Sequence, residues 1–230
     1  MEKLKIQGIP VAIYGEPSEK VWIYVHGKQS AKEAAGRFAQ TACGRGCQVL
    51  SADLPEHGER SGGPVPLDPW HAVPELREIS AWASRRWERK ALRCTSLGAW
   101  LSLLAFGDGS GFDKALFVSP VLDMELLILD MMQWANVSEE LLQEAGKIPT
   151  DFGETLSWEY LEYARTHKVT DWETPTSILY AGGDTLIRRE SVEYFARCFG
   201  ADLTVMEEGE HWFHTPEQVA FLRRWEEANA

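Results

Sequence analysis

Basic residues are scarce in this chain: 23 Lys and Arg stand against 35 Asp and Glu, a formal charge of −12. Such a deficit argues against a nucleic-acid partner, whose phosphates call for a basic face. Long apolar runs are missing too. No stretch approaches the roughly 18 apolar residues of a membrane span, and residues 1–10 carry Lys3 and Lys5 but no apolar core of signal-peptide length. The expected location is therefore cytoplasmic. Cysteine is also sparse: Cys43, Cys47, Cys94 and Cys198 lack CxxC spacing, so neither a disulfide frame nor a zinc site is signalled and four reduced thiols are expected. What remains is ordinary for a globular protein, with 44% hydrophobic and 25% charged residues over 230 positions. A chain of this size buries roughly 70% of its unfolded surface, enough for one core and a single domain over 1–230. Ten Trp are the compositional oddity, and they suit a large apolar core or an aromatic pocket.

Short apolar runs alternate with helix-periodic ones, the pattern of an α/β protein with a mostly parallel sheet of about seven to eight strands and helices on both faces. Strands are expected at Val11–Tyr14, Val21–Val25, Val49–Ala52, Ala91–Cys94, Ala115–Val118, Ser177–Tyr180 and Leu203–Met206. Helices are expected at Ala31–Cys43, Pro69–Trp87, Leu97–Phe106, Arg189–Phe199 and Pro216–Ala228, the last with Thr215 as N-cap and Pro216 at its first position. Residues 124–172 break the alternation. They carry no strand signal, while Met124, Leu127, Ile128, Met131, Met132 and Ala135 recur on one helical face, Ser138 can cap a second helix and a third can run from Ser157. This segment reads as an inserted helical lid.

The strongest chemical signal is Cys94-Thr95-Ser96-Leu97-Gly98-Ala99, where a short buried strand gives way directly to a helix. A sharp strand-to-helix turn presents the serine hydroxyl at the top of the sheet, with the free N–H groups of the helix start behind it for a developing oxyanion. Taken alone, the six residues read first as a serine that caps the following helix.

Here the sequence resembles the α/β-hydrolase superfamily. Cys94, Ser96 and Gly98 match its nucleophile elbow GxSxG with Cys for the first Gly. Val21-Trp22-Ile23-Tyr24-Val25-His26-Gly27 looks like the strand and HG turn that lead into the oxyanion loop. Asp53-Leu54-Pro55-Glu56-His57-Gly58-Glu59-Arg60-Ser61 looks like the family's DxPGHGxS loop, with Glu56 in place of Gly. The resemblance spans nearly the whole chain. It implies Ser96 as nucleophile and the backbone N–H groups of Leu97 and Lys28 as the oxyanion hole, with His26 a structural histidine that ties loops together.

For the acid, Tyr180-Ala181-Gly182-Gly183-Asp184 has the family's strand, glycine turn and Asp, which favours Asp184; Asp123, after the preceding strand, competes. For the base, Gly209-Glu210-His211-Trp212 resembles the family's GxH followed by an aromatic and implies His211, with His214 at the edge of the last helix. The order Ser96, Asp184, His211 is that of this superfamily and not of trypsin-like or subtilisin-like proteases.

The implied activity is a serine hydrolase acting through an acyl-enzyme on a small-molecule carboxylic ester of a small or medium acyl group, without cofactor or metal. A thioesterase, amidase or peptidase would use the same three residues, and a non-catalytic hydrolase-fold binder is the rival of another class, supported by Cys94 and Glu56. Met131, Met132, Trp134, Phe152 and Trp158 on the lid are candidates for an acyl or aromatic pocket. Gly107–Gly111 is glycine-rich but lacks the Lys-Ser/Thr ending of a phosphate loop, so a surface turn is expected. Arg85, Arg86, Arg89 and Lys90 read as a basic helix end. The lid holds ten acids against Lys147, Arg165 and Lys168, more than half of the net charge.

Overall fold

The structure is a computed structural model that describes residues 1–107 and 111–230. Among the described residues, eight strands form one sheet in the order β1-β2-β4-β3-β5-β6-β9-β10. These are β1 (Glu2–Ile6), β2 (Ile9–Tyr14), β3 (Lys20–Val25), β4 (Gln48–Ala52), β5 (Arg89–Thr95), β6 (Ala115–Val118), β9 (Thr176–Ala181) and β10 (Asp202–Met206). β1 and β2 pair antiparallel, as do β2 and β4; the other neighbours are parallel.

The sheet is buried on both faces because its side chains alternate between two apolar layers. On β3, Val21, Ile23 and Val25 enter one cluster while Trp22 and Tyr24 enter the other; Phe117 and Leu116 on β6 and Tyr180 and Leu179 on β9 divide likewise. Helices α1 (Ala35–Gly44) and α8 (Pro216–Asn229) cover the second layer. Helices α2 (Pro69–Ser84), α3 (Leu97–Phe106) and α7 (Arg189–Phe199) cover the first.

Between β6 and β9 lie α4 (Met124–Trp134), α5 (Glu139–Ala145), β7 (Lys147–Pro149), β8 (Thr155–Ser157) and α6 (Trp158–Thr166). Asp123, Ser138 and Ser157 cap the three helices through the N–H groups of Leu126, Leu141 and Tyr160. This segment shares the main core, since Met124, Ile128, Met132, Leu142, Leu156 and Leu161 belong to the first apolar layer. Among the described residues no helix is long and apolar enough to cross a membrane.

Three expectations are corrected. The segment 124–172 contains a β-hairpin, β7 with β8, whose three-residue strands are too short for a period-two pattern to register. A strand at Glu2–Ile6 was not expected; it is an edge strand, joined to β2 by a tight turn in which Gln7 and Gly8 take φ of 49° and 88°. The basic run does not lie on one helix end, because α2 stops at Ser84 and Arg89 and Lys90 open β5; Arg86 instead lies 5.4 Å from the ring centroids of both Trp82 and Trp87. The Gly107–Gly111 turn falls on residues 108–110, which lie outside the described residues.

Candidate active site

The functional candidates gather at the C-terminal ends of the parallel strands, where strand-to-helix loops meet. Ser96 follows β5, Asp184 follows β9 and His211 follows β10. The side chains meet in a chain of hydrogen bonds. His211 Nε2 lies 3.0 Å from Ser96 Oγ, and His211 Nδ1 lies 2.6 Å from Asp184 Oδ2. With Nδ1–H donating to the carboxylate, Nε2 is left as the acceptor for the serine hydroxyl. All three are withdrawn from solvent: Ser96 is 8% and His211 6% exposed, and the Asp184 side chain is fully buried.

Ser96 does not cap α3. Its hydroxyl makes no capping hydrogen bond, and its backbone takes φ 50°, ψ −122°, a conformation costly for a residue with a Cβ. The turn is fixed from both sides, since Ser96 N–H donates to Val118 O (3.1 Å) and Ser96 O accepts from Val121 N–H (3.1 Å). It is also tight. A Cβ on Gly98 would stand 2.5 Å from His26 O and 2.6 Å from Val25 O, so only glycine lets α3 start this close to the end of β3. Cys94 fits where the elbow pattern has Gly: its thiol donates to Ser102 Oγ (3.2 Å), which donates to Gly98 O (2.7 Å). Burial pushes this thiol's pKa up to about 12, which keeps it protonated.

Beside the elbow runs the loop after β3. Leu97, as the first residue of α3, has an N–H with no acceptor within its helix, and Gly27 packs against Ser96 with the N–H of Lys28 next in the chain. Two histidines hold this loop. His26 Nε2 accepts from Leu54 N–H (3.1 Å) while Nδ1–H donates to Gly27 O (2.7 Å). His57 Nε2 accepts from Gln29 N–H (3.0 Å) while Nδ1–H donates to Pro55 O (2.7 Å). His26 is thus the loop tie that its setting suggests, and burial lowers its pKa to about 4.

Asp53 completes the join. Its carboxylate accepts from Lys32 N–H, Lys32 Nζ and Glu59 N–H at 2.9, 2.7 and 3.0 Å. Burial alone would lower the Lys32 pKa, but the hydrogen bonds to Asp53 and Glu59 outweigh it and hold the ammonium charged.

No protein-family model and no curated protein matches this sequence. Solved structures do match in shape. Est1E from Butyrivibrio proteoclasticus, with ferulic acid bound, superposes with a TM-score of 0.79 at 16% identity, over 99% of this chain and 97% of that one. Mouse alpha/beta hydrolase domain-containing protein 10 gives 0.72 at 14% identity, over 97% and 95%. The thioesterase domain from the curacin biosynthetic pathway gives 0.62 at 16%, over 98% of each chain. The fold is that of the α/β-hydrolases.

Within this α/β-hydrolase fold, five of the seven described non-glycine residues with positive φ stand at the site: Gln29, Glu56, Ser96, Ser119 and Phe213. Glu56 occupies the position where the loop motif expects Gly, and its φ of 62° shows why Gly is expected there. The strain, about 1–2 kcal/mol, is offset where its carboxylate accepts from Leu67 N–H at 2.8 Å.

Sequence reasoning missed several supporting residues. Ser119 Oγ–H donates to His211 O (2.9 Å), pinning His211 from the loop after β6. Arg93, on β5 just below the elbow, donates to Cys94 O, Thr95 Oγ1 and Glu226 Oε1 and is 3% exposed. An arginine in the middle of an apolar strand was the available signal.

Asp123 caps α4 and pairs with Lys168, apart from His211. His214 faces Glu210 at 3.3 Å on the surface. Of the pocket candidates, Met132 is buried in the core. Met131 and Trp158 lie half-buried against that core, and Trp134 and Phe152 form an exposed edge-on pair 6.1 Å apart. A cleft of about 420 Å³ opens instead beside the oxyanion-loop candidate, lined by Lys28, Gln29, Glu56, His57, Ser61 and Leu67. Lys28, one of the lining residues, pairs through its ammonium with Glu154 in the turn between β7 and β8.

Proposed function

We propose that the chain is a serine hydrolase of one α/β-hydrolase domain, 1–230, with residues 124–172 as its lid, cleaving a carboxylic ester of a small or medium acyl group. The observation that carries this reading is the Ser96–His211–Asp184 hydrogen-bond chain on a strained strand-to-helix turn. In the proposed cycle His211 Nε2 takes the Ser96 proton as Oγ attacks the ester carbonyl carbon. The oxyanion is held by the N–H groups of Leu97 and Lys28. On collapse the carbonyl–alkoxy bond breaks and His211 returns the proton to the leaving alcohol. Water, deprotonated by the same imidazole, then releases the acid and Ser96. Asp184 keeps the imidazole in its Nδ1–H tautomer and stabilises the imidazolium.

Substrate contacts are proposed along the half-buried Met131 and Trp158, the exposed Trp134 and Phe152, and Trp212, whose ring stands edge-on to His211 at 4.7 Å. A thioester substrate is the second reading, favoured by the likeness in shape to a thioesterase domain. The non-catalytic reading loses its sequence support, since Cys94 and Glu56 are both accommodated with hydrogen bonds.

The test is labelling with a fluorophosphonate probe, followed by turnover of p-nitrophenyl acetate. Wild-type protein should label and Ser96→Ala should not. Both Asp184→Asn and His211→Ala should retain the fold, with Asp184→Asn losing about 10⁴ in turnover and His211→Ala about 10⁶. An unlabelled wild type would remove the proposal, and matched oxygen and thiol esters separate its two readings.

A further inference from the structure

The proposed acid is aimed by one carboxylate oxygen so that the other can serve His211. Asp184 Oδ1 accepts from Leu186 N–H (2.8 Å) and Ile187 N–H (3.0 Å), which leaves Oδ2 facing the imidazole. The direction of Oδ2 therefore depends on where residues 186–187 lie. Tyr180 holds that stretch from the sheet, its hydroxyl donating to Ile187 O at 2.7 Å. A second hold comes from outside the sheet. Arg188, next in the chain, reaches Asp130 on α4, donating from Nε to Oδ2 at 2.7 Å and from Nη2 to Oδ1.

Neither residue suits its local position. Asp130 lies in a helix interior at 5% exposure, where an unpaired carboxylate is costly, and Arg188 is its only partner among the described residues. Arg188 occupies the N-cap of α7, where a short oxygen-bearing side chain is preferred, and it caps nothing. Both placements make sense as one two-pronged contact across 58 residues.

Resting on the proposed function, we infer that Asp130 and Arg188 are positioning residues that brace the acid-bearing loop and orient Asp184 toward His211. On this account α4 belongs to the machinery, and any movement of the 124–172 segment takes place beyond Asp130.

A double-mutant cycle tests this. Asp130→Asn keeps the shape but loses the charge, and should lower kcat for p-nitrophenyl acetate about 10- to 100-fold with KM within about twofold, because misorientation affects the chemical step. The rate of fluorophosphonate labelling should fall in parallel. In an Asp184→Asn background the same substitution should cost no more than about twofold, since there is then no carboxylate to aim.

Arg188→Ala alters a half-exposed side chain and serves if Asp130→Asn fails to fold; it should give the same kinetic pattern. An unchanged kcat in both single variants overturns the inference, as does a loss that multiplies fully with Asp184→Asn. The two proposals fail differently: full activity of Asp184→Asn removes the acid assignment and the brace with it, whereas a damaged Asp184→Asn beside undamaged Asp130→Asn and Arg188→Ala removes the brace alone.

Discussion

Mild acid should weaken this protein through His26. The imidazole is 1% exposed and hydrogen-bonded at both nitrogens, as acceptor from Leu54 N–H and donor to Gly27 O. Protonation would turn the acceptor nitrogen into a second donor facing Leu54 N–H and bury a charge, which is why burial lowers the folded-state pKa from 6.5 to about 4. In unfolded chains the group titrates near 6.5. Between pH 6.5 and 4 the unfolded state thus binds a proton that the folded state refuses, so stability is full above this window and falls as pH drops through it. With those two values the loss is about 2 kcal/mol at pH 5 and about 3 kcal/mol below pH 4. In melting temperature the pH 5 loss corresponds to about 4–8 °C.

The assay is urea unfolding from pH 7.5 to 4.5 for wild type and His26→Gln, whose amide oxygen can still accept from Leu54 N–H without titrating. Carboxylates affect both proteins alike, so the difference between the two curves isolates His26. The variant should be the less pH-sensitive by about 2 kcal/mol at pH 5. Parallel curves would refute the reasoning.

Gly98→Ala should destabilise by at least about 2 kcal/mol and abolish probe labelling, because the added Cβ meets two carbonyl oxygens at 2.5 and 2.6 Å and neither can yield without moving β3; thermal melting and labelling check it. Glu226→Gln leaves the Arg93 guanidinium buried without its counter-charge and should cost about 3–5 kcal/mol in denaturant unfolding, whereas Arg93→Met with Glu226→Leu should cost far less. The 124–172 segment carries ten acids against three bases, so p-nitrophenyl hemisuccinate should turn over more slowly than p-nitrophenyl butyrate at low salt, with the gap narrowing as salt rises; equal ratios at all ionic strengths would count against it.

Much of the fold was legible because its signals are local. Apolar runs bounded by turns located seven of the eight main-sheet strands, and capping residues located Ser138, Ser157 and Thr215 at helix starts. β1 escaped because Glu2-Lys3-Leu4-Lys5-Ile6 is charged at three of its five positions, as an edge strand with one exposed face can be. The positions of Ser96, Asp184 and His211 were legible for the same reason as the strands: each sits in a turn whose residues lie within a few positions of it.

The sequence by itself determined which residue stands at each strand end, and hence the kind of chemistry available there. Only the tertiary structure decided that Ser96 turns its hydroxyl to His211 at 3.0 Å and does not cap its own helix, since both uses are open to a serine before a helix. It also decided which charges are buried. Lys32, Arg93 and Asp130 find their partners 21, 133 and 58 residues away, and a charged side chain in isolation reads as solvent-exposed. The physical reason is common to all of these: local propensity acts over one or two turns of chain, whereas desolvation and side-chain contact depend on which distant elements the packed sheet brings together.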